Sequence, residues 1–321
     1  MMPVRVAFIG SGGIARLHMD ILCRMEDVQL ACFCDVDGQK ASAAAEEYGG
    51  KAYTDCQEML EKEDLQAVYI CLPPFAHNTQ ELDAAEKGIA LFIEKPVALT
   101  QEKAEQILQT IEGKRIISSV GYNWRYLNIT QKAAELLKDR KLSLALGSFI
   151  GGMPTTPWWR VMSQSGGQIV EQTTHIFDLA RYLLGEVKTV YAAASSGSMP
   201  DVPGFDVHDA STVTLTFASG AICAITSACI APQSPCVGLT IYTRDRTVKL
   251  TSEELTVSEP GRKEVIENQN DPYFEEDRIF IEAVQSKNPS GIKSTYADAV
   301  RTLRVTLAAN RSIAQGGPIQ L

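Results

Sequence analysis

Three short stretches of this 321-residue chain bring together side chains that can hold charge or move protons. Residues 165–185 read SGGQIVEQTTHIFDLARYLLG. On a continuous helix over 169–184, Glu171, His175 and Asp178 stand at i, i+4 and i+7 and share one face. A carboxylate one turn from a histidine can orient the ring and raise its basicity, which suits a general base. The same spacing also reads as a solvated polar face or as part of a ligand set. No further His or Cys stands at ligand spacing to it, so no metal is expected.

The second stretch is Glu94-Lys95-Pro96, which closes the apolar run 89–93. An ammonium at the buried end of a strand is costly unless it is paired or used. Desolvation lowers a lysine pKa, so that it can act as acid, base or substrate anchor. A surface lysine at a strand end is the other reading.

The third stretch is Gly10-Ser11-Gly12-Gly13-Ile14-Ala15, a G-x-G-x-x-A pattern between an apolar run (4–9) and a helical periodicity. The first glycine permits a tight turn and the second lets backbone approach a pyrophosphate. The small last residue lets helix and strand pack closely. The helix start then offers free N–H groups and a positive dipole end to phosphates. Asp35 ends the next apolar run (28–34), about 20 residues on, where a carboxylate accepts from ribose hydroxyls. Asp37 adds negative charge and no Arg follows, which disfavours a 2′-phosphate: NAD is expected rather than NADP. Cofactor contacts are expected from Gly10, Gly12, Gly13, Ile14 and Asp35, and from the rigid loop Leu72-Pro73. His77 reads either as a polar residue opening a helix or as a further contact.

These stretches need a frame. Apolar runs at 4–9, 28–34, 67–72, 89–93 and 115–121 alternate with helical segments at 38–48, 76–86 and 100–111. Asp55 caps a short helix before the run at 67–72. Such alternation predicts a doubly wound parallel sheet, with ligands at the carboxyl ends of its strands. After Tyr122 the pattern changes to helices at 128–139 and 169–184, a strand at 144–150, and short strands between 187 and 268. Two helices, 273–286 and 295–315, close the chain. The expected division is a nucleotide-binding α/β domain over 1–122 and an α+β domain with a mostly antiparallel sheet over 123–321.

Composition narrows the partners. With 39 acidic and 30 basic residues the net charge is -9, and no Lys/Arg run occurs. Nucleic acid and anionic membranes, which demand basic patches, are not expected. No apolar stretch reaches about 18 residues, so no membrane span is expected. Eight cysteines without a CxxC pair suit a reducing compartment, here the cytoplasm.

In combination these residues resemble the Gfo/Idh/MocA family of NAD(P)-dependent oxidoreductases. The resemblance rests on Gly10–Ala15, Asp35, the proline loop with His77, and Glu94-Lys95-Pro96. It continues with Gly166-Gly167 and the helix bearing His175 and Asp178. It implies a Rossmann domain followed by a domain with an open-faced sheet that often mediates homo-oligomers, dimers or tetramers. It implies hydride transfer between nicotinamide and a sugar, cyclitol or sugar derivative, with Lys95 and His175 catalytic or substrate-positioning. Trp159-Arg160 resemble a segment that approaches the nicotinamide side, and a core-edge Trp with a structural Arg is the alternative. The family often carries Asp four residues before the histidine, where this chain has Glu171. His208-Asp209 reads either as a loop-to-strand structural pair or as bordering the site. Two other functions stay open: NAD-assisted glycoside cleavage, as in some relatives, and a non-catalytic sensor. Retention of Lys95 and His175 argues against the sensor.

Overall fold

The structure, a computed structural model, describes residues 2–321. The chain folds into two compact units. The first begins β1 (Val4–Ile9), α1 (Gly13–Leu22), β2 (Val28–Cys34), α2 (Gly38–Tyr48), β3 (Lys51–Tyr53) and α3 (Cys56–Lys62). It continues with β4 (Ala67–Ile70), α4 (Gln80–Glu86), β5 (Ala90–Ile93), α5 (Gln101–Lys114) and β6 (Ser118–Val120). The six strands form one parallel sheet in the order β3-β2-β1-β4-β5-β6. Strand order reverses between β1 and β4, the switch point at which such sheets take ligands.

Two sequence expectations shift here. The three-residue edge strand β3 was not foreseen. The expected helix over 76–86 is a 3-10 turn at Pro74–Ala76 followed by α4. His77 adopts extended backbone (φ -65°, ψ 116°) and separates the two.

The second unit contains α6 (Asn128–Leu137), β7 (Leu144–Ile150), α7 (Met162–Ser165), α8 (Gly167–Glu171) and α9 (Thr174–Leu184). Then come β8 (Val187–Ser195), β9 (Ala210–Phe217), β10 (Ile222–Ala228), β11 (Cys236–Tyr242), β12 (Thr247–Leu250), β13 (Glu254–Glu259) and β14 (Arg262–Glu267). The chain then returns to the first unit with α10 (Pro272–Ser286) and ends with α11 (Tyr296–Gln315), which passes from the first unit to the second, and β15 (Ile319–Gln320). The nine-stranded sheet runs β14-β13-β12-β11-β7-β10-β9-β8-β15 and is antiparallel except where β7 and β10 pair in parallel. Burial alternates along its central strands. One face carries Val213, Leu215, Ile225 and Leu239 into a core with Ile176, Phe177 and Ala180 of α9. The other leaves Leu146, Tyr191, Ile222 and Tyr242 exposed.

The units do not follow a single cut at residue 122/123, because Asp271–Val300 belongs to the first. Phe280, Ile281 and Ala283 of α10 enter the apolar cluster of Val6, Phe8, Met19 and Phe92. The periodicity of α10 shows an amphipathic helix but not which sheet it covers. No helix among the described residues is long and apolar enough to cross a membrane.

Candidate active site

The glycine turn is built to leave room. Gly10 sits at φ 92°, and a Cβ there would collide with the carbonyl oxygen of Cys71 on the strand alongside. Gly12 and Gly13 differ: a Cβ on either meets nothing within 4 Å, and both are exposed. No side chain caps α1, and no acid stands in its first turn. Its first N–H groups and positive dipole end therefore face open space. Ala15 is fully buried, as close packing of helix on strand requires. Ile14 is half-buried beside it.

Asp35 borders the same turn. One of its oxygens accepts from the Ser11 N–H at 2.9 Å and the other from the Asp37 N–H at 2.9 Å. Asp37 caps α2, accepting from the Gln39 N–H at 3.0 Å. Open backbone over Gly12–Gly13, an unopposed helix start and an adjacent carboxylate fit a dinucleotide's pyrophosphate and ribose.

The neighbouring strand ends complete this edge. Pro73 continues β4 in extended backbone (φ -58°, ψ 148°), and Leu72 lies against Gly10. The His77 ring is buried, and its Nδ1 pairs with the buried carboxylate of Glu81, so the ring itself is engaged inside the unit.

Glu94-Lys95 closes β5. Glu94 is buried, and Gly121 makes room for it, since a Cβ on Gly121 would strike the Glu94 carboxylate. Glu94 Oε2 accepts from the Lys95 backbone N–H at 3.2 Å. Its Oε1 lies 3.2 Å from Nε2 of His18, a fully buried residue of α1. His18 Nδ1 lies 2.9 Å from both carboxylate oxygens of Asp277 on α10. Glu276 is fully buried in the same place, and neither of its oxygens has a hydrogen-bond partner. Burial alone would lower the His18 pKa; the Asp277 and Glu94 carboxylates outweigh it and hold the ring well above 6.5, as imidazolium. Burial raises the Glu276 pKa well above 4.5, and the Glu94 and Asp277 charges add to it against His18. His18, Glu94 and Glu276 present atoms within 4.8 Å of one another, a spacing that could suit a metal ion.

The second unit carries the other candidates. The single helix expected over 169–184 is broken into α8 and α9. Gly166 and Gly167 both adopt positive φ, 76° and 79°, to start α8. At the break the Thr173 N–H bonds back to the Gln168 carbonyl, one residue further than an α-helical bond. No single helix therefore carries Glu171, His175 and Asp178: Glu171 ends α8, and His175 and Asp178 stand on α9. Glu171 ends α8 and accepts from the Trp159 indole N–H at 2.8 Å. Trp159 is itself buried. Arg160 donates to the carbonyls of Pro157 and Pro203, each at 3.3 Å. His175 stands in the first turn of α9. Asp178 turns inward and takes a bidentate ion pair from buried Arg125, at 2.7 and 2.6 Å, and a bond from Thr302 at 2.8 Å. His208 bonds Ser196, and Asp209 accepts from the Ser198 N–H at 2.7 Å.

The His18–Asp277–Glu276 cluster was not read from the sequence. Its partners lie up to 259 positions apart. The available signal was one histidine on the buried face of α1, among Ala15, Met19 and Leu22.

A parallel sheet with a glycine turn, a carboxylate closing its second strand and Glu-Lys at the same edge defines a dinucleotide-binding oxidoreductase domain. Residues 4–122 match the family described as "Oxidoreductase family, NAD-binding Rossmann fold", and residues 141–249 match "GFO/IDH/MocA C-terminal domain". The chain belongs to the Gfo/Idh/MocA family of NAD-binding oxidoreductases. It is similar to a myo-inositol 2-dehydrogenase of Thermotoga maritima, 26% identical over 99% of this chain and 98% of that protein. An inositol 2-dehydrogenase of Rhizobium meliloti is 29% identical over 68% of this chain and 67% of that protein. A levoglucosan dehydrogenase solved with NADH shares the fold at TM-score 0.86 and 20% identity, over 99% of each chain.

Proposed function

We propose that this chain oxidises or reduces a secondary alcohol or its ketone on a sugar, cyclitol or sugar derivative. One observation carries the reading: Gly10–Gly13, Asp35 and Glu94-Lys95 occupy the carboxyl edge of one parallel sheet. The relatives named inositol 2-dehydrogenase support the substrate class.

Gly10, Gly12, Gly13 and Ile14 present the turn and helix start to the pyrophosphate, and Asp35 takes the ribose hydroxyls. Leu72 and Pro73 wall the loop, and His77, whose ring is engaged with Glu81, contributes backbone. When bound, NAD supplies the hydride acceptor. Lys95 stabilises negative charge on the reacting oxygen, and His175 takes the hydroxyl proton as the hydride leaves carbon. Glu171 holds negative charge at the end of α8, fixed there by Trp159. We assign Trp159 to that carboxylate and Arg160 to the nicotinamide side.

The exposed apolar row Leu146, Tyr191, Ile222 and Tyr242 supports a homo-oligomer, dimer or tetramer, formed through the open sheet face. All eight cysteines are free and five are buried, which supports a cytoplasmic setting.

The test is a screen for NADH formation over cyclitols, aldoses and deoxysugars, repeated with Lys95→Ala. Turnover in the wild type, lost in the variant with NAD binding kept, is the expected result. Glycoside cleavage without net NADH, or stoichiometric sugar binding without turnover, would overturn it.

A further inference from the structure

We infer that His18 and Asp277 are positioning residues that fix Lys95 through Glu94. The inference rests on Lys95 acting in the proposed reaction.

Lys95 lies two residues past Ile93, the last residue of β5, and just after Glu94, whose N–H still donates to the Ile70 carbonyl at 2.9 Å. Its backbone N–H donates to Glu94 Oε2 at 3.2 Å. The position of Lys95 thus depends on where the Glu94 carboxylate is held. That carboxylate is held from both sides: Gly121 leaves the slot it fills, and His18 Nε2 meets its other oxygen at 3.2 Å. His18 cannot swing away, because Asp277 clasps Nδ1 with both oxygens at 2.9 Å. The ring is also packed by Phe92, Tyr69 and Tyr273, with centroids at 5.0, 5.5 and 6.0 Å. The chain of contacts therefore runs α10, α1, Glu94, Lys95.

Two features set this network apart from ordinary core packing. Burying an imidazolium beside two carboxylates costs more than filling the space with apolar side chains, so stability alone does not account for it. And His18 stands on α1, whose first turn is the proposed phosphate seat. The network thereby ties the helix that receives the dinucleotide to the lysine just past β5.

The test reads the Lys95 amide directly, by hydrogen exchange resolved by NMR, in the wild type, Asp277→Asn and His18→Gln. In the wild type the Lys95 N–H should exchange as slowly as the amides of β5. In either variant it should exchange at least about tenfold faster, with the Phe92 and Ile93 amides and the NAD dissociation constant within about twofold of wild type. Turnover should fall about tenfold or more with KM little changed. Adding Asp277→Asn to Lys95→Arg should cause no further loss of turnover. A fast-exchanging Lys95 amide in the wild type overturns the inference even if neither variant folds, as does unchanged exchange in a folded variant. Full turnover in Lys95→Arg alone would instead remove the catalytic role of Lys95 and leave the exchange result standing.

Discussion

The indole nitrogen of Trp159 donates to the Glu171 carboxylate at 2.8 Å, joining the segment before α7 to the end of α8. This bond gives the unusual carboxylate at position 171 a fixed place. Glu171 ends α8 and His175 stands in the first turn of α9, with the helix broken between them at residues 172–173. Trp159→Phe keeps an aromatic ring in a buried site and removes only the donor. It should cost about 1–3 kcal/mol of stability, the penalty for taking a partner from a partly buried carboxylate. Turnover should fall while the NAD dissociation constant stays near wild type. Denaturant titration, steady-state kinetics and calorimetry check the three parts.

The first two glycines of the turn, Gly10 and Gly12, should fail in opposite ways. Gly10→Ala places a Cβ against the Cys71 carbonyl at φ 92° and should destabilise the fold itself. Gly12 sits at φ -79° with open space around it, so Gly12→Ala should leave stability within about 0.5 kcal/mol. The added methyl then lies where the pyrophosphate approaches, and NAD affinity should drop about tenfold or more. Thermal melts with and without NAD separate the two effects.

How much of this was legible follows the range of the interactions. The glycine turn, Asp35 and Glu94-Lys95 are local patterns whose chemistry depends on one strand end each, and the fold places them at one edge. The α/β alternation gave the parallel sheet for the same reason. Three short edge strands were missed, among them the two-residue Ile319–Gln320. Lys51–Tyr53 is only three residues long, and Arg262–Glu267 is polar and exposed on nearly every position, so neither shows a buried alternation. The His18 network depends on α10 returning to the first unit, which no local pattern encodes.

Asp178 marks a different limit. Helical spacing grouped it with His175, but spacing does not say which face points inward once the helix is interrupted. Its carboxylate neutralises buried Arg125, which also lies over the Tyr182 ring at 5.0 Å. Asp178→Ala should leave that guanidinium uncompensated and cost about 3–5 kcal/mol. Denaturant unfolding measures it. A loss of turnover without loss of stability would return Asp178 to the reaction.

The buried cluster around His18 should make stability fall as pH rises. His18 has a folded pKa well above 6.5, so its contribution is complete below about pH 6.5 and is lost as pH climbs through the folded value. Glu276 acts in the same direction. Its folded pKa is raised above 4.5 by burial, so the folded chain keeps a proton that the unfolded chain releases. His18 contributes a slope of about 1.4 kcal/mol per pH unit from about pH 6.5 up to its folded value, and Glu276 one of the same size from about pH 4.5 up to its own. The groups facing His18 are Asp277 and Glu94, with the Tyr69 and Tyr273 rings against it and Glu276 alongside. Glu276→Gln replaces a protonated carboxyl by a neutral group of the same shape and should remove the slope that Glu276 contributes. Its stability should match wild type near pH 4 and exceed it increasingly as pH rises above about 4.5. Urea titrations across that range read both curves, and parallel curves for the two proteins would show that Glu276 is ionised in the fold.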